Sequence, residues 1–279
     1  MTKRIIGVDM GGTKIKAGLV AGDLIEKEFY TKIDRLASEG EVLEVLSNAI
    51  AQVWDSKVDA IGIGVPSLVD VEQGIVYDVQ NIPSWREVLL KKMLQKRFPV
   101  DIQVNNDSNC FVLGEKYFGA GKPFSNLVGL TLGTGLGAGV IVDDRLIAGA
   151  NGGAGEFGSL PYRDDILETY ASGKFFRLRS DETGETIKQM ALEGDERALS
   201  WFTEYGDHLG HAIIAVLYSV DPEAIVLGGS ISKDYLLFKE SMWKRIQTFT
   251  YRRSIERLQV FPSDLENSPI LGAAALCLD

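Results

Sequence analysis

The chain has 279 residues, 45% of them hydrophobic and 24% charged, with a formal net charge of −10 at pH 7. This is the profile of a globular protein built as one large domain or two lobes, and its acidity argues against general affinity for nucleic acid or an anionic membrane. No apolar run is long enough to span a bilayer, and Met1–Arg4 leads into a short strand without a signal-peptide core or cleavage site, so a cytoplasmic location is expected. Cys110 and Cys277, far apart and without a CxxC pair, read as free buried thiols rather than a disulfide, and they exclude a cysteine-rich zinc site.

In chain order, Arg4–Asp9 is an apolar strand, Met10–Lys14 a turn, and Ile15–Val20 a returning strand. Leu24–Thr31 reads as a third strand and Glu41–Trp54 as an amphipathic helix with Leu43, Leu46, Ile50 and Val53 on one face. A buried strand over Val58–Val65, the Pro66-Ser67 turn and a short hairpin over Gly74–Val79 follow. Ser84 and Glu87 have capping-box spacing, which predicts a helix to about Arg97. Pro99–Val104 is the next strand, ending in Asn105-Asn106-Asp107, and Ser108 can cap a helix to about Phe118.

The second half opens in the same way. Shifting the chain by 122 residues lays Ile5–Ile25 on Leu127–Ile147 without a gap, with five identities in 21 positions: Gly7, Gly11, Val20, Leu24 and Ile25 fall on Gly129, Gly133, Val142, Leu146 and Ile147. This predicts a duplicated strand–turn–strand that clamps one polyphosphate. Beyond it lie a helical, polar region to about Glu196 and a long helix over Ala198–Val220, stopped by Asp221-Pro222. A strand over Glu223–Leu227, the Gly228-Gly229-Ser230 turn, a helix over Asp234–Thr250, a strand over Leu258–Phe261 and a terminal helix over Pro269–Leu278 complete the chain. The division expected is an N-terminal lobe over 1–114, completed by 266–279, and a C-terminal lobe over 115–265.

Leu127–Ser159 mixes dense glycine with strand-like apolar runs, unlike a flexible linker, so something is expected to approach its backbone closely. Gly133-Thr-Gly-Leu-Gly137 lacks the GK[ST] of a P-loop, and a strand follows it where a dinucleotide-binding unit would have a helix. It reads either as a hairpin turn gripping phosphate or as a bare glycine turn. Asp9-x-Gly11-Gly12-Thr13 carries the same two readings, with Asp9 able to hold a cation through water in the first of them. Asp107 stands at a strand's C-terminal end before a helix, where it is either a base that accepts a hydroxyl proton or a helix cap. Glu156 and Glu168 are either paired acceptors for a polyol ring or solvated surface charges. His208 and His211, on the long helix, read as buried or capping residues.

Taken together, DMGGTK, GVPSLVD, NIPSW, NNDSN, LTLGTGLGAGVIVDDRLIAGANGGAGEFG and DPEAIVLGGSIS resemble the ROK family of bacterial sugar kinases and repressors, within the actin-like ATPase superfamily, over essentially the whole chain. The resemblance implies an α/β, two-lobed actin-like ATPase (ribonuclease H-like) fold with a duplicated βββαβαβα core. It implies ATP phosphates at Asp9, Gly11, Gly12, Thr13 and Lys14 and at Gly133, Thr134, Gly135 and Gly137, with Gly228 and Gly229 near the adenosine. Mg²⁺ would bridge the phosphates with Asp9 as its outer-shell partner. Asn106 and Asp107 would meet the sugar, with Asp107 the catalytic base, and Gly64, Glu156, Ser159 and Glu168 would complete the sugar site. The family's GE[IL]GH histidine is replaced here by Ser159, and Leu160–Leu167 lacks the family's zinc-binding cysteines, so no zinc is expected. The repressor branch carries an N-terminal helix-turn-helix, for which the segment before Asp9 leaves no room, so a kinase is expected. ATP and a hexose would be its partners, with no nucleic acid and no membrane, and the resemblance suggests a homodimer. The reaction expected is attack of a primary hydroxyl, at C6 of glucose or a related hexose, on the γ-phosphorus; the alternatives are a kinase for N-acetylglucosamine, N-acetylmannosamine, fructose or allose and, from another class, a non-enzymatic sugar sensor.

Overall fold

The alternation of apolar residues in the first 32 positions produces an antiparallel meander. In the computed structural model, which describes residues 3–79 and 81–278, strands β1 (Arg4–Met10), β2 (Lys14–Ala21) and β3 (Leu24–Lys32) pair in sequence. Helix α1 (Glu39–Val53) starts in a reciprocal capping box: Ser38 Oγ accepts from Glu41 N–H and the Glu41 carboxylate accepts from Ser38 N–H. Strand β4 (Ala60–Val65) returns parallel to β1. Then β5 (Leu68–Asp70), β6 (Ile75–Tyr77) and β7 (Glu87–Val88) form a small antiparallel sheet, followed by α2 (Leu90–Gln95), β8 (Asp101–Asn106) and α3 (Asp107–Tyr117). The main sheet has the order β3-β2-β1-β4-β8.

Two local expectations are corrected here. Ser84 and Glu87 do not open a helix: Glu87–Val88 pairs with Val76 and Tyr77, Trp85 is fully buried, and the helix begins only at Leu90. Strand pairing and burial of Trp85 override a four-residue cap signal. Nor does Ser108 cap α3. Asn106 does, its side-chain oxygen accepting from Ser108 N–H at 2.8 Å and Asn109 N–H at 3.4 Å.

The second half repeats the meander with β9 (Leu127–Leu132), β10 (Leu136–Val142) and β11 (Arg145–Leu146). A two-strand hairpin, β12 (Pro161–Tyr162) and β13 (Asp165–Ile166), precedes helices α4 (Leu167–Ala171), α5 (Gly173–Arg177), α6 (Gly184–Leu192) and α7 (Glu196–Val220). Strand β14 (Ala224–Gly228), α8 (Tyr235–Ile246), α9 (Arg252–Arg257), β15 (Gln259–Pro262) and α10 (Ser268–Ala275) complete the chain. The sheet order β11-β10-β9-β14-β15 matches that of the first sheet strand for strand. The repeat is therefore architectural, but the ungapped alignment slips past the turn. Met10 and Ile15 close the first turn and Leu132 and Leu136 the second, which is one residue shorter. The returning strands correspond at a shift of 121, which sets Gly18 opposite Gly7 and Gly139 opposite Gly129.

Two units result. The first comprises Met1–Pro123, Leu146–Ala154 and Asp264–Asp279; the second comprises Phe124–Arg145 and Gly155–Ser263. The segment Leu146–Ala154 thus packs with the first unit, whereas the sequence expectation placed it in the second lobe. In the first unit, Ile6, Val8 and Met10 pack toward α1 while Ile5 and Val20 pack toward α10. In the second, Phe202, Tyr205, Leu209, Ile213, Val216 and Leu217 of α7 form the core with the sheet and α8. His208 lies buried there, its Nδ1 3.1 Å from Tyr162 Oη, and burial lowers its pKa. Cys110 and Cys277 are separate buried thiols. Among the described residues no helix is long and apolar enough to cross a membrane.

Helix α10 approaches β1, β4 and α3 backbone to backbone. A Cβ on Gly62 would stand 1.7 Å from Ala273 O, one on Gly7 2.0 Å from Ile270 O, and one on Gly272 1.6 Å from Cys110 O. Gly62→Ala must therefore push α10 off the sheet, and we expect it to destabilise the protein by about 1–3 kcal/mol, the usual cost of overpacking, measured as a lower midpoint in urea unfolding.

Candidate functional site

Strand β1 ends at the first turn. Gly11 N–H donates to Lys14 O at 2.9 Å, and Thr13 O accepts from Ile33 N–H at 2.9 Å. The N–H groups of Gly12 and Thr13 have no protein partner among the described residues. Two successive N–H groups left free at a turn form an anion-binding nest. A side chain at Gly12 would meet Asn81, its Cβ coming within 2.4 Å of the Asn81 Cβ. Lys14 is exposed beside the turn. Asp9 is half-buried on the last part of β1, and its pKa is raised by burial, against the opposing pull of Lys16 and Lys14.

Asp107 is the first residue of α3. Because Asn106 supplies the cap, the Asp107 carboxylate is released from that duty. Its pKa is pushed up to about 6, first by burial and second by the negative charge of Asp9. Ser108 Oγ donates to it at 3.4 Å. Gly64, opposite Asn105 in the β4–β8 ladder, lets the chain pass close by: a Cβ there would stand 3.0 Å from Cys110 Sγ and 3.6 Å from Asp107 Cα. The Asn106 side chain is mostly committed, its oxygen to the helix N–H groups and its amide to Ser67 O at 3.2 Å, which leaves one amide hydrogen for a ligand.

The second turn, between β9 and β10, has a similar polarity. Gly133 N–H donates to Gly135 O at 3.1 Å, whereas the N–H groups of Thr134 and Gly135 have no protein partner among the described residues. Nothing stands within 4 Å of where a Gly133 Cβ would be, so packing against the protein does not explain the glycine there. Gly137 is not in the turn; it lies in the ladder opposite Thr131. Gly229 follows β14 with φ of 84°, and a Cβ on it would run within 2.3 Å of Leu132 O, which fixes the turn after Gly228 against the end of β9.

Glu156 and Glu168 behave differently. Glu156 is exposed and its carboxylate has no partner among the described residues. The surrounding chain's desolvation, and then the charge of Glu168, raise its pKa. Glu168 is engaged within the protein, accepting from Leu136 N–H at 3.0 Å and pairing with Lys174 Nζ at 2.5 Å. Ser159 is exposed at the end of the short 3₁₀ turn Phe157–Ser159 that follows Glu156.

Beside the Gly228–Gly229 turn lies a cavity of about 320 Å³ lined by Phe176, Gly184, Glu185, Phe202, Ile231 and Asp234. Only the neighbouring Gly228-Gly229-Ser230 turn marked this place in the sequence. Ile231 could have been found as the next residue, but nothing local links α6 or Phe176 to it.

A model of the ROK family matches residues 5–279. The chain belongs to the ROK family. It is 30% identical to a glucokinase of Thermotoga maritima over 98% of this chain and 96% of that protein. It is also 29% identical to a xylose repressor of Bacillus subtilis, over 85% of this chain and 66% of the repressor. Among solved structures, a ROK family glucokinase from Streptomyces griseus in complex with glucose and AMPPNP superposes with a TM-score of 0.83 at 28% identity, covering 98% of each chain. The fold of this ROK protein is thus the actin-like ATPase fold, with its sheet repeated once in each unit.

Within the first unit the ROK chain gathers Asp9, Gly11–Lys14, Gly64, Asn106 and Asp107, and within the second Gly133–Gly135, Glu156, Ser159, Glu168, Gly228 and Gly229. The hairpin Pro161–Ile166 is held by side-chain contacts: Tyr162 lies tilted against His211 and edge-on to Tyr170, and Tyr170 Oη donates to Asp164. Among the described residues no three His, Cys, Asp or Glu side chains stand together as metal ligands.

The raised pKa of Asp107 has a stability consequence. Its folded value of about 6 lies above the ordinary aspartate value of 3.8, so between the two the native state holds more protons than the unfolded chain and stability falls as pH rises. We expect Asp107→Asn to stabilise the protein at pH 7.5 by about 1–3 kcal/mol and the gain to vanish as pH drops below about 4. Urea unfolding at a series of pH values measures this.

Proposed function

We propose that this ROK protein is an ATP-dependent hexose kinase that phosphorylates the C6 hydroxyl of glucose or a related hexose. The observation that carries the reading is Asp107: a carboxylate at the start of a helix, spared from capping, with its pKa lifted to about 6 by burial and by Asp9. A base poised near neutrality can take a hydroxyl proton as the oxygen attacks phosphorus. The new O–P bond forms in line as the bond to the β-phosphate oxygen breaks, and the proton goes to Asp107. The relatives named above, a glucokinase among them, support the substrate class.

The other residues take roles that follow from their free groups. The N–H groups of Gly12 and Thr13, and of Thr134 and Gly135, donate to the triphosphate, with Lys14 adding positive charge and Gly11 closing the first turn. Gly228, Gly229 and the cavity at Ile231 hold the nucleoside. Glu156, with its unpartnered carboxylate, accepts from sugar hydroxyls, and Asn106, Ser159 and Gly64 border the ring. Asp9 would hold Mg²⁺ through water, its half-buried carboxylate having no hydrogen-bond or ion-pair partner among the described residues. Mg²⁺, when bound, neutralises charge on the phosphates. A homodimer in the cytoplasm completes the reading.

The likeness to a repressor supports a second reading, a sugar-binding protein without catalysis. ADP release measured over glucose, mannose, fructose, allose, N-acetylglucosamine and N-acetylmannosamine separates the two and names the sugar. We expect release with a hexose; sugar binding with no ADP from any member would overturn the kinase. In the kinase, Asp107→Asn should retain sugar binding and lower kcat by about 10²–10⁴-fold, the usual weight of a general base. Wild-type kcat/KM should fall as pH drops below about 6. Near-normal turnover by Asp107→Asn would remove Asp107 from the mechanism.

A further inference from the structure

Each backbone carbonyl of the Gly133–Gly135 turn is engaged by the protein. Gly133 O accepts from Gly173 N–H at 2.8 Å and Gly135 O from Gly133 N–H at 3.1 Å. Thr134 O accepts from both Ser172 Oγ and the Arg177 guanidinium, each at 3.3 Å. The N–H that leaves the turn, on Leu136, is held by Glu168, whose other oxygen is gripped by Lys174. A Cβ on Gly135 would come within 2.4 Å of Glu168, so that carboxylate lies directly against the turn. What remains without a partner among the described residues is the pair of N–H groups on Thr134 and Gly135.

A peptide plane has its carbonyl and N–H on opposite edges, so holding the carbonyls of a turn on one side aims its N–H groups to the other. Donors already aimed need no reorganisation when an anion arrives, which is the basis of electrostatic preorganisation. We propose that Ser172, Lys174 and Arg177, with Glu168, are positioning residues that hold this turn in its anion-binding form and so set affinity for the triphosphate donor. Arg177 acts through Thr134 and Lys174 acts through Glu168. The inference rests on the kinase reading for the identity of the anion, and it gives Glu168 a place behind the phosphate turn where the family resemblance put it on the sugar. No motif pointed to this: Ser172, Lys174 and Arg177 carry no glycine-loop signal and sit about 40 residues beyond the turn in sequence.

The test measures three quantities on the same preparations of full-length protein: the dissociation constant of a non-hydrolysable ATP analogue by calorimetry, KM for ATP, and KM for the sugar. Arg177→Gln should weaken the analogue and raise KM for ATP by about 10-fold, the weight of a charge-assisted hydrogen bond, with Arg177→Lys recovering most of the loss. Ser172→Ala, which removes an uncharged donor to the same carbonyl, should give about 3-fold in the same direction. Lys174→Met should act as Arg177→Gln does, and because the Lys174 side chain is 43% exposed, this variant carries the test if Arg177→Gln fails to fold. Sugar KM should stay within about two-fold throughout, the mark of a lost donor contact alone. Unchanged analogue affinity in the folded charge variants would overturn the proposal. So would loss confined to charge variants with Ser172→Ala silent, which would mean direct contact with phosphate. A rise in sugar KM for Glu168→Gln with ATP unaffected would return Glu168 to the sugar. Failure of the wild type to bind the analogue at all would instead sink the kinase reading.

Discussion

At Gly7 and Gly62 no side chain fits between the last helix and the strands it covers. Gly7 and Gly62 on β1 and β4, and Gly272 on α10 itself, bring backbone against backbone, with added Cβ atoms clashing at 2.0 Å or less. The first unit's chemistry depends on that contact. β1 carries Asp9 at its far end, β4 carries Gly64, and α3, pressed against α10 at Gly114 and Gly272, begins with Asp107. Interiors packed at this density transmit displacement rather than absorb it. The two carboxylates are thus fixed near each other although their charges repel, and the repulsion is part of what lifts Asp107.

The two glycine turns share one backbone arrangement with different support. The first is closed by its own hydrogen bond and by Ile33 of the segment after β3. The second, one residue shorter, is held from behind by side chains of α5 and by Ser172. Both leave an adjacent pair of N–H groups without a partner among the described residues. Under the proposed function, that common outcome lets an acidic protein, at −10, hold a polyanion: the attraction is supplied locally by backbone dipoles, and net charge hardly enters.

Much of this was legible in the sequence, because the features that carry the fold are local. Strand alternation, the Ser38–Glu41 capping box and the repeated hairpin need only neighbouring residues to be read. Where the reading failed, a distant partner decided. Ser84 and Glu87 have ideal helix-start spacing, yet pairing with β6 claims Glu87 and Val88 as strand. Asn106 and Ser108 are equally good caps by type, and the Asn106 amide's bond to Ser67 O, 39 residues away, accompanies its choice as the cap. The one-residue slip in the repeat is invisible to an ungapped comparison, since apolar residues face each other in either register. At the site, glycines announced the turns, while the side chains that hold the second turn and line the cavity at Ile231 come from helices with no motif of their own.

The course of the chain through the two units also bears on its synthesis. The unit that carries Asp107 is assembled from three separated stretches, the last being Asp264–Asp279, whereas the other is complete by Ser263. Residues are made in order, so every strand of the sheet of β9–β15 precedes α10. The sheet of β1–β8 has the face around Ile5, Val20 and Ala60 covered only once α10 packs on it. Its closure joins residues more than two hundred and fifty positions apart, from Ile5 to Cys277, and such contacts form slowly because the loop entropy comes first. The unit that carries Asp107 is therefore the last to have all its parts, and the apolar face around Ile5 and Val20 is the surface it leaves uncovered until α10 docks.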